Sequence, residues 1–173
     1  KSEIMRSVQF NFLDRLLLTP VEIVNSLRYL LYAIILFFLI SGIQSKGFSF
    51  SVLWQEGIQA SFFLLLSYLA GAFIAPVLLP WLPFRYFGGK GFVVGFVLFG
   101  IVAFLNFSEY SIIKIVGWLL LSGAISSFLT MNFTGASTYT SLSGVKKEMR
   151  LFVPIQIVFT FVGLGLVILS KFV

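Results

Sequence analysis

The side chains of this chain that can do chemistry are few, and most of them are hydroxyls. From Thr134 to Ser143 six of ten residues are Ser or Thr, and the run continues through Gly144 to the basic stretch Lys146-Lys147-Glu148-Met149-Arg150. A hydroxyl both donates and accepts hydrogen bonds, and glycine permits tight turns and close approach of a partner. Asn132, Thr134, Gly135, Ser137, Thr138, Tyr139, Thr140, Ser141, Ser143, Gly144, Lys146 and Lys147 therefore form a candidate docking loop, with Gly135 and Gly144 as places for a positive φ angle. By composition alone the stretch reads equally well as a solvated connection with a basic end. Gly88-Gly89-Lys90-Gly91 has the glycines and lysine of a phosphate loop. It lacks the earlier Gly and the following Ser or Thr of the Walker pattern. The free N–H groups of a glycine-rich helix start can still hold an anion, so Lys90 and Arg85 are candidate contacts for an anion or a lipid headgroup.

Other chemistry is excluded by residue type. The chain has no Cys and no His, so it offers no thiolate, no zinc triad and no Ser-His-Asp relay. Met5, Met131 and Met149 are scattered and read as packing rather than as a soft-metal site. Asn106, Asn132 and Gln156 read as hydrogen-bonding glue between helices. No catalytic, cofactor-binding or metal-ligating residue is assigned, and a self-contained membrane enzyme fails for want of a nucleophile, a base or a metal set.

The elements that must position these residues follow from composition. The 173 residues are 59% hydrophobic and 10% charged, with 22 Phe and a mean hydropathy of +1.05. A soluble domain carries about 25% charged residues; this chain cannot cover a water-facing surface. The fold class expected is all-α, an integral membrane bundle of five transmembrane helices with an N-terminal amphipathic segment. A span needs roughly 20 apolar residues, and the candidates are Val21–Ile43, Gly57–Leu79, Gly91–Phe107, Ile112–Met131 and Leu151–Leu169. Thr19-Pro20-Val21-Glu22 supplies an N-cap, a proline at the first helical position and a capping box for the first span. Ahead of it, Ile4, Met5, Val8, Phe12, Leu13 and Leu16 recur at helical spacing, which suits a helix lying on a leaflet or one facing the core of a soluble domain. Residues 1–20 are thus an interfacial segment and linker, and 21–173 the membrane domain. No secretory signal precedes them, and a chain opening on Lys1 in this way is expected to be a piece of something longer.

Small residues at spacings of four predict where helices approach closely: Ser67, Gly71 and Ala75; Gly91 and Gly95; Gly123 and Ser127. Faces left over after pairing leave room for a homodimer. Pro76 predicts a kink in the second span with the carbonyl of Ala72 freed. Trp54, Trp81, Tyr86 and Tyr110 fall near span ends as an aromatic belt.

The formal charge of +6 lies between apolar runs and does not point to nucleic acid. Lys1, Arg6, Arg15, Arg28, Arg85, Lys90, Lys146, Lys147 and Arg150 fall on one side of a five-span bundle. Only Lys46, Lys114 and Lys171 fall on the other. The positive-inside rule then predicts a multi-pass protein of a prokaryotic cytoplasmic membrane, with the N-terminus inside and the C-terminus outside.

Three polar motifs carry a family resemblance. The run from Phe133 to Met149, Leu-Thr-Pro-Val-Glu at Leu18–Glu22, and Pro-Trp-Leu-Pro at Pro80–Pro83 resemble the C-terminal membrane part of the mercury-methylating corrinoid proteins. The similarity covers essentially the whole chain. It implies a cytoplasmic corrinoid-binding domain ahead of this region, related to the corrinoid iron–sulfur protein of acetyl-CoA synthesis. It also implies a ferredoxin-like iron–sulfur partner that returns cobalt to its reduced state, and methyl transfer from cobalt to mercuric ion. The family's cobalt-facing Cys, in an Asn-Val/Ile-Trp-Cys-Ala motif, belongs to the soluble domain and has no counterpart here. No catalytic residue and no cofactor is carried over. The resemblance leaves an anchoring and docking domain; the alternative is a small transporter or channel subunit for a neutral solute or metal complex. Intramembrane charge marks many transport paths, and the second, third and fifth predicted spans carry none.

Overall fold

The computed structural model describes residues 12–45, 47–136 and 142–173. Among them the chain folds as five long helical rods. The first is α1 (Phe12–Ser41). The second is built from α2 (Phe50–Leu69), a π-helical turn (Ala70–Ile74) and α3 (Ala75–Leu78). The rest are α4 (Phe87–Leu105), α5 (Ile112–Ala136) and α6 (Leu142–Leu169). Two-residue strands β1 (Ile43–Gln44) and β2 (Gly47–Phe48) pair antiparallel between the first two rods. Gly47 there has a φ of 109°, a conformation glycine adopts without penalty.

Four rods hold stretches long and apolar enough to cross a bilayer: Phe50–Leu78, Phe87–Leu105, Ile112–Phe133 and Gly144–Leu169. The apolar part of α1 is shorter, Ser26–Ser41. The surface is apolar, and the small polar side chains are turned inward among the apolar core. Leu31, Ile35, Phe104 and Phe161 are exposed, whereas Ser67, Ser122, Ser126, Ser127 and Thr130 are wholly buried. The protein is an all-α membrane bundle.

Helix α5 is the hub. Its small residues let neighbouring backbones touch it directly. A Cβ at Gly71 would lie 2.5 Å from the carbonyl oxygen of Ser126, and one at Gly95 would lie 2.6 Å from that of Ser122. A Cβ at Gly91 would lie 2.6 Å from the Cα of Ser127. On the opposite flank Gly117 and Gly163 bring α5 and α6 together in the same way. Far from the basic end this seam gives way to an aromatic core. Phe63 packs edge-on against Phe99 at 5.2 Å and Trp118 at 5.1 Å between ring centroids.

Several sequence expectations are corrected. Helix α1 does not start at Thr19-Pro20; it runs through Pro20 from Phe12, so over its described residues the amphipathic segment continues into the first rod. Membrane helices tolerate such prolines because neighbouring groups satisfy the freed backbone. At Pro76 the helix absorbs the missing donor with a π-turn, in which the Ala75 N–H bonds the carbonyl of Ala70. With the Ala75 N–H given to Ala70 and no N–H on Pro76, the Gly71 carbonyl has neither an i+4 nor an i+5 donor. Thr130 of α5 brings its Oγ1 to 3.2 Å from the Gly71 oxygen, sharing its one proton with the Ser126 carbonyl of its own helix at 2.8 Å. Helix α4 begins four residues before the expected Gly91, at Phe87. The largest difference is at 132–150. Most of that stretch is helix, since α5 runs on to Ala136 and α6 starts at Leu142. Hydroxyl-rich sequence favours turns, but buried Met131, Phe133 and Phe152 extend the packing past the apolar stretch.

Candidate docking face

The antiparallel order of the rods gathers three sequence-distant stretches at one end of the bundle: the start of α1, the turn from α3 to α4, and the junction of α5 with α6. Two charged side chains tie the α3–α4 turn to α6 and brace the turn itself. The Gly88 N–H, at the start of α4, donates to Glu148 Oε1 of α6 at 2.6 Å. Glu148 is 4% exposed. A carboxylate suits a helix N-terminus, where unsatisfied N–H groups and the helix dipole favour negative charge. The Lys90 ammonium donates to the carbonyl of Leu79, at the end of α3, at 2.5 Å. Here too the charge suits the pole it meets. Gly88 is a glycine because Phe152 leaves no room: a Cβ would lie 2.7 Å from that ring. Tyr86 and Phe92 close the cluster around Phe152, at 5.8 and 6.2 Å between centroids.

These contacts re-sort the candidate residues. The anion expected at the Gly88–Gly91 helix start is the chain's own Glu148. Lys90 is engaged with Leu79 and stands half-buried, while Arg85 is exposed on the surface. Beside Arg85, Phe84 holds a φ of 82°, strained for an aromatic residue. Lys146 and Lys147 are exposed on the first turns of α6. Gly135 and Gly144 lie inside α5 and α6, so neither needs a left-handed backbone and the expected strain at these glycines does not arise. Thr134 and Ser143 belong to the same helix ends. Ser137, Thr138, Tyr139, Thr140 and Ser141 lie outside the described residues. Asn132 is exposed on α5 rather than buried as glue. Gln156 does serve as glue, its Nε2 donating to Ser127 Oγ of α5 at 2.8 Å. The Asn106 amide donates to the Val102 carbonyl of the helix it follows.

The opposite end holds a second set of charges. Lys171 Nζ bonds Glu56 Oε2 at 2.6 Å and the Ser41 carbonyl at 3.0 Å, and Lys114 lies 3.6 Å from Glu56 Oε1. This ties the ends of α1 and α6 to the first turns of α2 and α5. Glu56 and Glu148 are the two site residues that sequence reasoning missed. The only signal for either was a lone acid set among bases or at a span edge, which without a partner carries no meaning.

Comparison of the chain with protein-family models, curated proteins and solved structures found no match.

Proposed function

We propose that this chain is the membrane anchoring and docking region of a corrinoid-dependent methyltransferase acting on mercuric ion, with the corrinoid domain joined ahead of Lys1. The observation that carries the reading is convergence. Pro80–Pro83, at the turn from α3 to α4, and the described helical residues of the run 133–149 lie far apart in sequence and share one end of the bundle, joined by the Glu148–Gly88 bond. It is the end at which α1 begins, so a domain joined at the N-terminus rests above it. The Glu148 and Lys90 bonds hold that face rigid, and Arg85, Lys146, Lys147 and Arg150 are exposed on it. On this reading the face is cytoplasmic, in keeping with the positive-inside rule. A ferredoxin-like iron–sulfur protein, acidic enough to meet the basic rim, docks beside the corrinoid domain. The membrane is a prokaryotic cytoplasmic membrane, with the C-terminus outside.

The test is the coding sequence upstream of Lys1, followed by a methylation assay of the full-length protein in membranes. An in-frame corrinoid domain bearing the Asn-Val/Ile-Trp-Cys-Ala motif, and loss of activity on charge reversal at Lys146, Lys147 and Arg150 with normal membrane abundance, are expected. A start codon directly before Lys1 would overturn the reading. The alternative, a carrier for a neutral solute, draws on one observation, an apolar cleft within the bundle. Against it, the far end is closed by the Lys171 bonds and by Phe37 packed on Trp118 at 5.5 Å.

A further inference from the structure

The charges at the far end of the bundle do not balance. Lys114 of α5 and Lys171, just beyond α6, share one carboxylate, Glu56 of α2. Lys171 is well served, with Glu56 Oε2 at 2.6 Å and the Ser41 carbonyl at 3.0 Å. Lys114 is not. Its ammonium stands 3.6 Å from Glu56 Oε1, outside hydrogen-bond reach, although its side chain is only 18% exposed. Its other neighbour is the Tyr110 ring, 5.5 Å from Nζ to the centroid. Among the described residues no second carboxylate pairs with either lysine.

The position makes the shortfall worse. Helix α5 begins at Ile112, so Lys114 lies in its first turn, where free N–H groups and the helix dipole favour negative charge. At the basic end Glu148 and Lys90 each meet the helix pole that suits them; Lys114 meets the wrong one. A mostly buried ammonium without an acceptor, beside a second ammonium, costs free energy unless something meets it.

Space for that something is present. A cavity of about 20 Å³ lies among these groups, its lining including Phe37, Glu56, Gln59, Lys114, Trp118 and Lys171. One water needs roughly 10–15 Å³, so the cavity takes a single body of about that size. A phosphate, a sulfate or a carboxylate is too large.

We propose that this cavity binds one monatomic anion of the halide class, held by the Lys114 ammonium with Lys171 beside it. Charge selects the ion. Two lysines against one glutamate leave an excess positive charge, and the Phe37 and Trp118 rings beside it screen that charge weakly. A water gives Lys114 an acceptor but leaves the excess in place, and a cation is repelled. Every donor that the lysines present faces a body that only accepts. The bound ion then helps to hold the ends of α1 and α6 to the first turns of α2 and α5.

The test follows the thermal midpoint of the purified chain in a neutral detergent as sodium chloride or bromide replaces sodium gluconate at constant ionic strength. Both halides should raise the midpoint saturably, as ligand linkage requires, and gluconate should not. Broadening of the chloride NMR resonance by the native chain, relieved by added bromide, reads binding directly. Lys114→Gln should weaken chloride binding roughly tenfold or more, the worth of a hydrogen bond to a charged group. Glu56→Gln separates the ion site from a merely structural ion cluster. It removes the competing carboxylate, so chloride should bind severalfold tighter even though the midpoint without halide falls. Equal midpoints in chloride and gluconate without resonance broadening would overturn the proposal. So would chloride binding unchanged in Lys114→Gln or weakened in Glu56→Gln. Should either variant fail to fold, the resonance of chloride with the native chain decides.

Discussion

Helix α5 is packed tightly along its glycine contacts and loosely beside the apolar cleft between α1 and α6. Toward α4 and the π-turn of the second rod, glycines 71, 91 and 95 bring backbone onto backbone, and Ser122 and Thr130 send hydroxyls across to the carbonyls of Gly95 and Gly71. Toward α1 and the basic end of α6 the facing residues are large, and the helices stand apart around the cleft. Lipid tails are as apolar as Leu, so apolar residues gain little by leaving lipid for a neighbouring helix. Contact must come from shape and hydrogen bonds. Small residues supply both along the seam. The seam is therefore the rigid part of the molecule and the cleft its open part.

The largest effect should come from filling the seam. Gly95→Val places a branched side chain where even a Cβ is 2.6 Å from the Ser122 oxygen. A loss of about 3 kcal/mol or more is expected, read as failure to recover folded monomer or as a steep fall in thermal midpoint in detergent. If Gly95→Val melts like the native chain, the tight-seam description is wrong. Next in size is the stitch at the basic end. Glu148→Ala leaves the Gly88 N–H buried without an acceptor and should cost about 2 kcal/mol, measured by the same melts. Glu148→Gln, which keeps an acceptor oxygen, should recover part of it.

Thr130→Val removes the hydroxyl shared between the Gly71 carbonyl across the seam and the Ser126 carbonyl of its own helix. Interhelical bonds in membranes average about 0.6 kcal/mol, and a cost of that order is expected here, since the Thr130 proton is shared with its own helix. An unchanged melt would show that the Gly71 carbonyl is satisfied some other way. The smallest effect sharpens the comparison by contrast. Nothing lies within 4 Å of a Cβ at Gly100, so Gly100→Ala should be neutral or stabilising by up to about 1 kcal/mol through helix propensity alone. Gly144→Val, on an exposed helical turn, should likewise leave insertion and abundance unchanged, checked by quantitative immunoblot of membranes.

Much of this was legible from residues one at a time. Apolar run lengths located all five rods, because a helix that keeps its own backbone bonds is the one open structure lipid allows. The starts were less exact: α1, α2 and α6 begin seven to nine residues ahead of the predicted spans, at Phe12, Phe50 and Leu142. The spacing of Gly71, Gly91 and Gly95 marked the seam, since a missing side chain matters wherever two helices touch. The candidate site was less legible. The stretch 132–150 reads as loop because Ser, Thr and Gly disfavour isolated helix, yet most of it is helical.

What the sequence by itself determined is the environment: hydropathy places the chain in lipid, and the positions of its bases sort the two ends of the bundle. Only the tertiary structure decided which polar groups meet. Glu148 finds Gly88 across 60 residues, and Thr130 finds a carbonyl that a proline on another helix left bare. Gln156 finds one partner where its amide has room for more. The reason is physical. Hydropathy sums over single residues and survives without knowledge of neighbours, whereas a buried hydrogen bond exists only at about 3 Å, and that distance is set by how whole helices pack.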